Sequence, residues 1–365
     1  VESTPAISAL PYSRVQILSL WNKHLLCLLY PVSTLLFLAT APHSWYIGAI
    51  YFTLVPLSVW IDMKAEPAKH QPAPNLPPRL FTAVLYLLCA LQLVNYALVI
   101  RLPLVSGFFS WDVLFGFIPI GITAGYSGIV VAHELIHRPE KHMQFLGRVL
   151  LAGVFYEHWY VEHLRGHHQR VGTPEDPVTA PLGETFIQFH GRAIPAQIVS
   201  AWKIEQKRLS HPAKKWYDPR QLKNRVVRGF ALEFILLMSI LGLFGFASAF
   251  LFFVQHYIAH SLLEAVNYFE HYGLRRKGPR IQPTESWDSD SWFSLYSLVG
   301  LTRHSDHHTY SSRPYQELRV NEESPRLPYG YFGTVVLVLF QNKKFRRLAE
   351  AELTRRGLGP FSAAA

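Results

Sequence analysis

Charge is scarce in this chain. Only 16% of its 365 residues are Asp, Glu, Lys or Arg, against about 25% in an average soluble protein. Half of the residues are hydrophobic. A single soluble domain lacks polar surface on these terms, and so much apolar material excludes a disordered chain. Cysteine is scarcer still. Cys27 and Cys89 both lie in apolar runs, which excludes a disulfide framework, a four-cysteine metal site or an iron–sulfur centre in these residues. No cationic stretch, short apolar run and small-residue cleavage site stand at the start, so no removable signal peptide is read. The sequence begins at Val1 without Met and trails off through Gly359-Pro360-Phe361-Ser362-Ala363-Ala364-Ala365. Both ends read as trimmed, with room for a linker to something further.

Long apolar runs are abundant. A membrane helix needs about 20 mostly apolar residues to cross a hydrocarbon layer about 30 Å thick. Runs at about 24–40, 44–61, 80–100 and 112–132 qualify. The stretch from Gly229 to Tyr268 is long enough for two more, 229–246 and 248–270, joined around Gly242 and Gly245. The expected fold is all-α: one polytopic domain over 1–365 with six transmembrane helices and a helical cap from 133–228 and 271–365. The run Phe332 to Phe340 is too short to cross and is expected at the interface or against protein. With six spans, 34 of the 35 Lys and Arg fall on one side, Arg101 being the exception. The positive-inside rule makes that side cytoplasmic, with both termini. The net charge of +10 is read as this bias together with attraction to anionic headgroups, or as a docking surface for an acidic partner. Nucleic acid binding is set aside for want of a motif.

Eighteen histidines carry the chemical signal. His133 and His137 stand four apart where the fourth span ends, and that spacing puts both imidazoles on one helix face. A second cluster is Glu162-His163-Leu164-Arg165-Gly166-His167-His168. A third is Arg303-His304-Ser305-Asp306-His307-His308, and His271 follows Asn267-Tyr268-Phe269-Glu270 at the end of the sixth span. Neutral imidazole is the commonest side-chain metal ligand, and nine exceed what one first-row ion uses. Two ions with four or five each fit the count. Imidazole does not by itself choose among zinc, copper, nickel and iron. The segment 133–137 also reads as the zinc element of a metalloprotease, but that leaves seven clustered histidines unexplained.

Nine neutral ligands bring no negative charge, so carboxylates are expected nearby. Each histidine element has one: Glu134, Glu162, Glu270 and Asp306. Helical neighbours diverge by about 100°, so an acid beside one ligand is placed to serve a ligand on another helix. At least two of the four are expected to accept hydrogen bonds from ligand N–H groups. A second polar stripe, His256, His260, Glu264 and Asn267, runs along the sixth span on the side of His271. Its lower part is read as support for the metal site and its upper part as interhelical hydrogen bonding.

These residues resemble the integral-membrane alkane monooxygenases, within the histidine-box superfamily of fatty-acid desaturases and hydroxylases. HELIHR at 133–138, EHLRGHH at 162–168, NYFEHYGL at 267–274 and LTRHSDHH at 301–308 carry the resemblance. The NYFEHYGL element separates this group from desaturases. Thr302 stands where the group usually has Gln. The resemblance implies O₂-dependent terminal hydroxylation of medium-chain alkanes at a non-heme di-iron site, with the nine histidines as ligands. It also implies electrons from rubredoxin and its NADH-dependent reductase, and residence in a bacterial inner membrane. Arg275, Arg276, Lys277, Lys214 and Lys215 are candidate docking charges, and a rubredoxin fused after Ala365 is conceivable. A bulky residue on the second span limits chain length in the family, and Trp60 looks like that position. The runner-up is a related hydroxylase or desaturase acting on xylene-type side chains or fatty acyl chains. A transporter is disfavoured, because its polar groups belong near mid-bilayer.

Overall fold

The structure, a computed structural model, describes residues 10–209 and 217–361. It is all-helical; among the described residues the only β-pairing is two isolated bridges, Pro67 with Ser291 and Asp288 with Arg326. Among the described residues, five helices are long and apolar enough to cross a membrane: α1 (Arg14–Thr40), α2 (Trp45–Lys64), α3 (Pro78–Ser106), α4 (Trp111–Ile136) and α7 (Arg225–His271). Shorter helices follow the same numbering: α5 (Lys141–Ala152), α6 (Phe186–Arg208), α8 (Trp292–Ser297), α9 (His304–Thr309), α10 (Tyr331–Phe340) and α11 (Asn342–Arg356).

Local sequence sets where these helices begin. Ser13 and Gln16 form a reciprocal capping box at the start of α1, as do Thr185 and Gln188 before α6, each satisfying orphan backbone N–H groups. Asn224 accepts from Val226 N at the head of α7.

The 47 residues of α7 are interrupted at Gly245, whose φ of +81° leaves the helical region and suits a residue without Cβ. In a straight helix, residues 230 and 260 would stand about 45 Å apart. Instead Phe230 packs on His158 (ring centroids 5.5 Å) and His260 on Tyr156 (3.9 Å). The chain therefore folds back at Gly245, and both halves reach the 156–158 turn. α7 packs against α3 and α4, α1 against α3, and α2 against α4. Outward faces stay apolar: Leu243, Phe246, Phe234 and Ile235 are each at least 60% exposed. So many exposed large apolar side chains on these helices are costly in water and suit a lipid solvent.

Shorter helices pack against the long ones. Asp62, buried at the end of α2, accepts from the hydroxyls of Ser291 and Ser294 at 2.6 Å each and from Gly333 N at 2.9 Å. A Cβ on Gly330 would fall 1.8 Å from Asp62 Oδ1, so only glycine lets the backbone come this close. This knot fastens α2 to α8 and to the start of α10. The short run at 332–340 thus lies in the ten-residue helix α10, packed on α2 and α7.

Candidate metal centre

All nine sequence-predicted histidines converge, and they divide into two groups. His133, His137, His163, His168 and His307 form one; His167, His271, His304 and His308 form the other, with the ligand atoms of each group within 4.8 Å of one another. The winding of the chain produces this division. Residues 163–167 form a π-helical turn, a local widening common at functional sites. There His163 meets His168, five residues on, at 3.1 Å between Nε2 atoms. His167, four residues on, turns instead to His308 at 3.2 Å. A second π turn, Ala124–Ile129, lies just before His133 within α4.

The spacing of the nitrogens fits a metal. Imidazoles about 2.05 Å from one ion and at right angles have nitrogens about 2.9 Å apart. The observed Nε2 pairs are His137–His163 at 2.9 Å, His168–His307 at 3.2 Å and His271–His304 at 3.2 Å. Facing ring nitrogens can share one proton per pair at most, whereas a cation between them satisfies every lone pair at once. His133 Nε2, buried and without a hydrogen-bond partner, is such an unsatisfied lone pair. Five imidazoles also exceed the closed four-coordination of structural zinc.

Burial, reinforced by the charge of neighbouring imidazoles, pushes the pKa values of His163, His168, His304, His307 and His308 well below the ordinary histidine value. The rings are therefore neutral at pH 7, the state a metal requires.

The acids arrange themselves differently from the sequence expectation. Glu134 pairs with Arg138 and accepts from Tyr315 N at 3.1 Å. Glu162 pairs with Arg170 at 2.8 Å, and burial pushes its carboxyl up to about 7. Asp306 pairs with Arg313 and accepts from Arg319 N at 3.0 Å. Of the four, Glu270 is the one whose carboxylate meets a site imidazole, 3.2 Å from His304 Nε2. The acid on the outward nitrogen of a histidine is Asp176, 3.0 Å from His167 Nδ1. Burial works against its charge, but His167 and the Thr179 hydroxyl outweigh that and hold it below the usual carboxylate range. Sequence reasoning missed Asp176. Its signal was an acid in the proline-flanked turn Thr173-Pro174-Glu175-Asp176-Pro177, eight residues after the second cluster.

An apolar cavity of about 460 Å³ is walled by α2, α4, the second half of α7 and α10; Tyr331, in its wall, donates to Glu270, whose carboxylate lies 3.2 Å from His304 Nε2. Its lining includes Val130, three residues before His133, and Val266, five before His271, together with Phe52 and Phe340, both exposed at the protein surface. α2 contributes Phe52, Val55 and Val59, which lie on one stripe at 100° per residue. Trp60, one position further round, is 62% exposed and lies outside the cavity wall. Thr302 is fully buried, and its carbonyl accepts from Ser289 N.

The polar stripe of α7 is built inward. Glu264 accepts from Tyr156 Oη at 3.0 Å and Gln197 Nε2 at 2.8 Å; His260 Nε2 lies 2.7 Å from the Val154 carbonyl. Arg275 and Lys277 are exposed, while the Arg276 guanidinium binds the carbonyls of Gln169, Gly278 and Pro279. Lys214 and Lys215 lie outside the described residues.

Residues 107–331 match the Fatty acid desaturase family. The chain is 42% identical over 226 residues to alkane 1-monooxygenase 1 of Pseudomonas aeruginosa, covering 60% of this chain and 58% of that one. To alkane 1-monooxygenase 2 of the same organism it is 34% identical over 315 residues, 81% of this chain and 80% of the other. The hydroxylase component of a xylene/toluene monooxygenase from Pseudomonas putida is 30% identical over 239 residues, 63% and 62% of the two chains. The family match spans all nine histidines just described, and the chain belongs to the fatty acid desaturase family, with alkane 1-monooxygenases among its relatives.

Proposed function

We propose that the protein is an alkane 1-monooxygenase that hydroxylates medium-chain n-alkanes at the terminal carbon. The balance is alkane, O₂, two electrons and two protons to 1-alkanol and water. The observation that carries this reading is an apolar cavity linked through Tyr331 and Glu270 to two groups of imidazoles. An alkane methyl group offers no acidic proton and no electrophilic carbon, so acid–base and nucleophilic catalysis have nothing to act on. Two iron ions, one in each group, supply the missing chemistry: activation of O₂ for insertion into a C–H bond. The protein's own part is to hold the chain and keep water out. Val55, Val59, Leu262 and Val266 give the alkane apolar contact along its length.

The same reading puts the chain in a bacterial inner membrane with six crossings, α7 counting twice because it folds back at Gly245. The site and both termini then face the cytoplasm, as the Lys and Arg distribution supports. Electrons come from reduced rubredoxin and an NADH-dependent reductase, docked on a basic face that includes Arg275 and Lys277. The match to the xylene/toluene hydroxylase keeps aromatic side chains as a second substrate class. Purified protein with iron, rubredoxin and reductase is tested on octane and on xylene. Terminal alcohol from octane, in proportion to bound iron, is the expected result. Xylene oxidation without octane turnover reverses the assignment, and zinc-loaded protein of equal activity removes it.

A further inference from the structure

Glu270 differs from the other acids of the site. Glu134, Glu162 and Asp306 each hold an arginine. Among the described residues, no Lys or Arg lies within 4 Å of the Glu270 carboxylate, which is 2% exposed. A buried carboxylate without a cation carries an uncompensated desolvation cost, which an ion held by the four-histidine group would offset.

One neighbour fixes where that carboxylate points. The Tyr331 hydroxyl donates to Glu270 Oε1 at 2.6 Å, while Oε2 stands 3.2 Å from His304 Nε2. Tyr331 is itself 1% exposed and pinned. Its N–H donates to Ser294 Oγ at 2.8 Å, the hydroxyl that in turn donates to Asp62. Its ring meets Phe269 edge to face at 4.9 Å and also walls the apolar cavity. The short apolar helix that the membrane count leaves over thus delivers one hydroxyl to the metal site.

We infer that Tyr331 is a positioning residue: its hydroxyl holds Glu270 against His304, so that the carboxylate faces the four-histidine group and supplies negative charge there. The inference rests on the proposed metal-binding role of the two groups and needs no alkane.

The test is a cobalt(II) titration of the full chain, stripped of metal in detergent, followed by its d–d absorption. Tyr331→Phe keeps the ring and removes the hydroxyl. It should weaken one of two Co²⁺ positions about 10–100-fold, the usual cost of losing a group that supports a ligand, and leave the other unchanged. Glu270→Gln should weaken the same position. Adding Tyr331→Phe to Glu270→Gln should then change affinity less than twofold, because the hydroxyl acts through the carboxylate. Unchanged affinities in Tyr331→Phe overturn the inference, as do two positions weakened alike or effects that multiply in the double variant. A chain that shows the selective loss but hydroxylates nothing keeps the inference and removes the proposed reaction. A chain that binds no Co²⁺ removes both.

Discussion

His163 and His168 stand five residues apart, yet their Nε2 atoms lie 3.1 Å from each other. In an α-helix such residues diverge by about 140°; the π turn at His163–His167 brings them together. It also frees His167 for the other group, so one short segment supplies both metal positions.

That division predicts unequal responses to substitution. His167→Ala leaves three imidazoles in its group, whereas His168→Ala leaves four. The first should reduce bound iron from two per chain to about one; the second should retain more metal while still losing activity. Iron analysis beside turnover on octane checks this, and equal metal loss in both variants counts against the partition.

Asp176 predicts a supporting effect. Asp176→Asn keeps the shape but loses the charge on His167 Nδ1. Metal affinity or turnover should fall about 10–100-fold. Chelator titration of the purified variant measures it, and wild-type affinity together with wild-type turnover would discount the contact.

Burial of histidine predicts acid lability. Burial lowers His158 to about 3, while an unfolded histidine titrates near 6.5. Below that pH the unfolded chain binds a proton that the folded chain refuses, so stability falls as pH falls, by about 1.4 kcal/mol per pH unit for such a group. The loss begins near pH 6.5 and continues to about 3. His158→Asn should flatten the stability-against-pH curve in this window by one group's share. Denaturation in detergent at a series of pH values reads the slope, and an unchanged slope rejects the assignment.

The cavity predicts which face of α2 sets chain length. Val55→Phe adds volume to the wall and should shorten the longest alkane accepted by several carbons, read by product analysis over an alkane series. Trp60→Ser is the companion variant. A longer range in that variant puts the limiting position on the Trp60 face; an unchanged range puts it on the Val55–Val59 face.

Docking through exposed Arg275 and Lys277 predicts salt sensitivity. Raising ionic strength from about 0.05 to 0.5 M shortens the Debye length severalfold and should slow turnover driven by rubredoxin more than turnover driven by a small-molecule reductant. Equal slowing of the two argues against a charged docking face.

The sequence by itself determined the chemistry and its place. Histidine types at helical spacing, gathered where apolar runs end, marked a metal site, because ligand identity and membrane thickness are local properties of the chain. A glycine between two apolar stretches marked the fold-back that α7 makes at Gly245. Only the tertiary structure decided how the nine imidazoles divide, since a π turn leaves no periodic trace in sequence. Packing of remote segments likewise brought Asp176 to His167 and Tyr331 to Glu270, and turned Val55 and Val59, rather than their neighbour Trp60, to the cavity. Contacts between residues tens of positions apart depend on how whole helices pack against one another, and no local spacing encodes them.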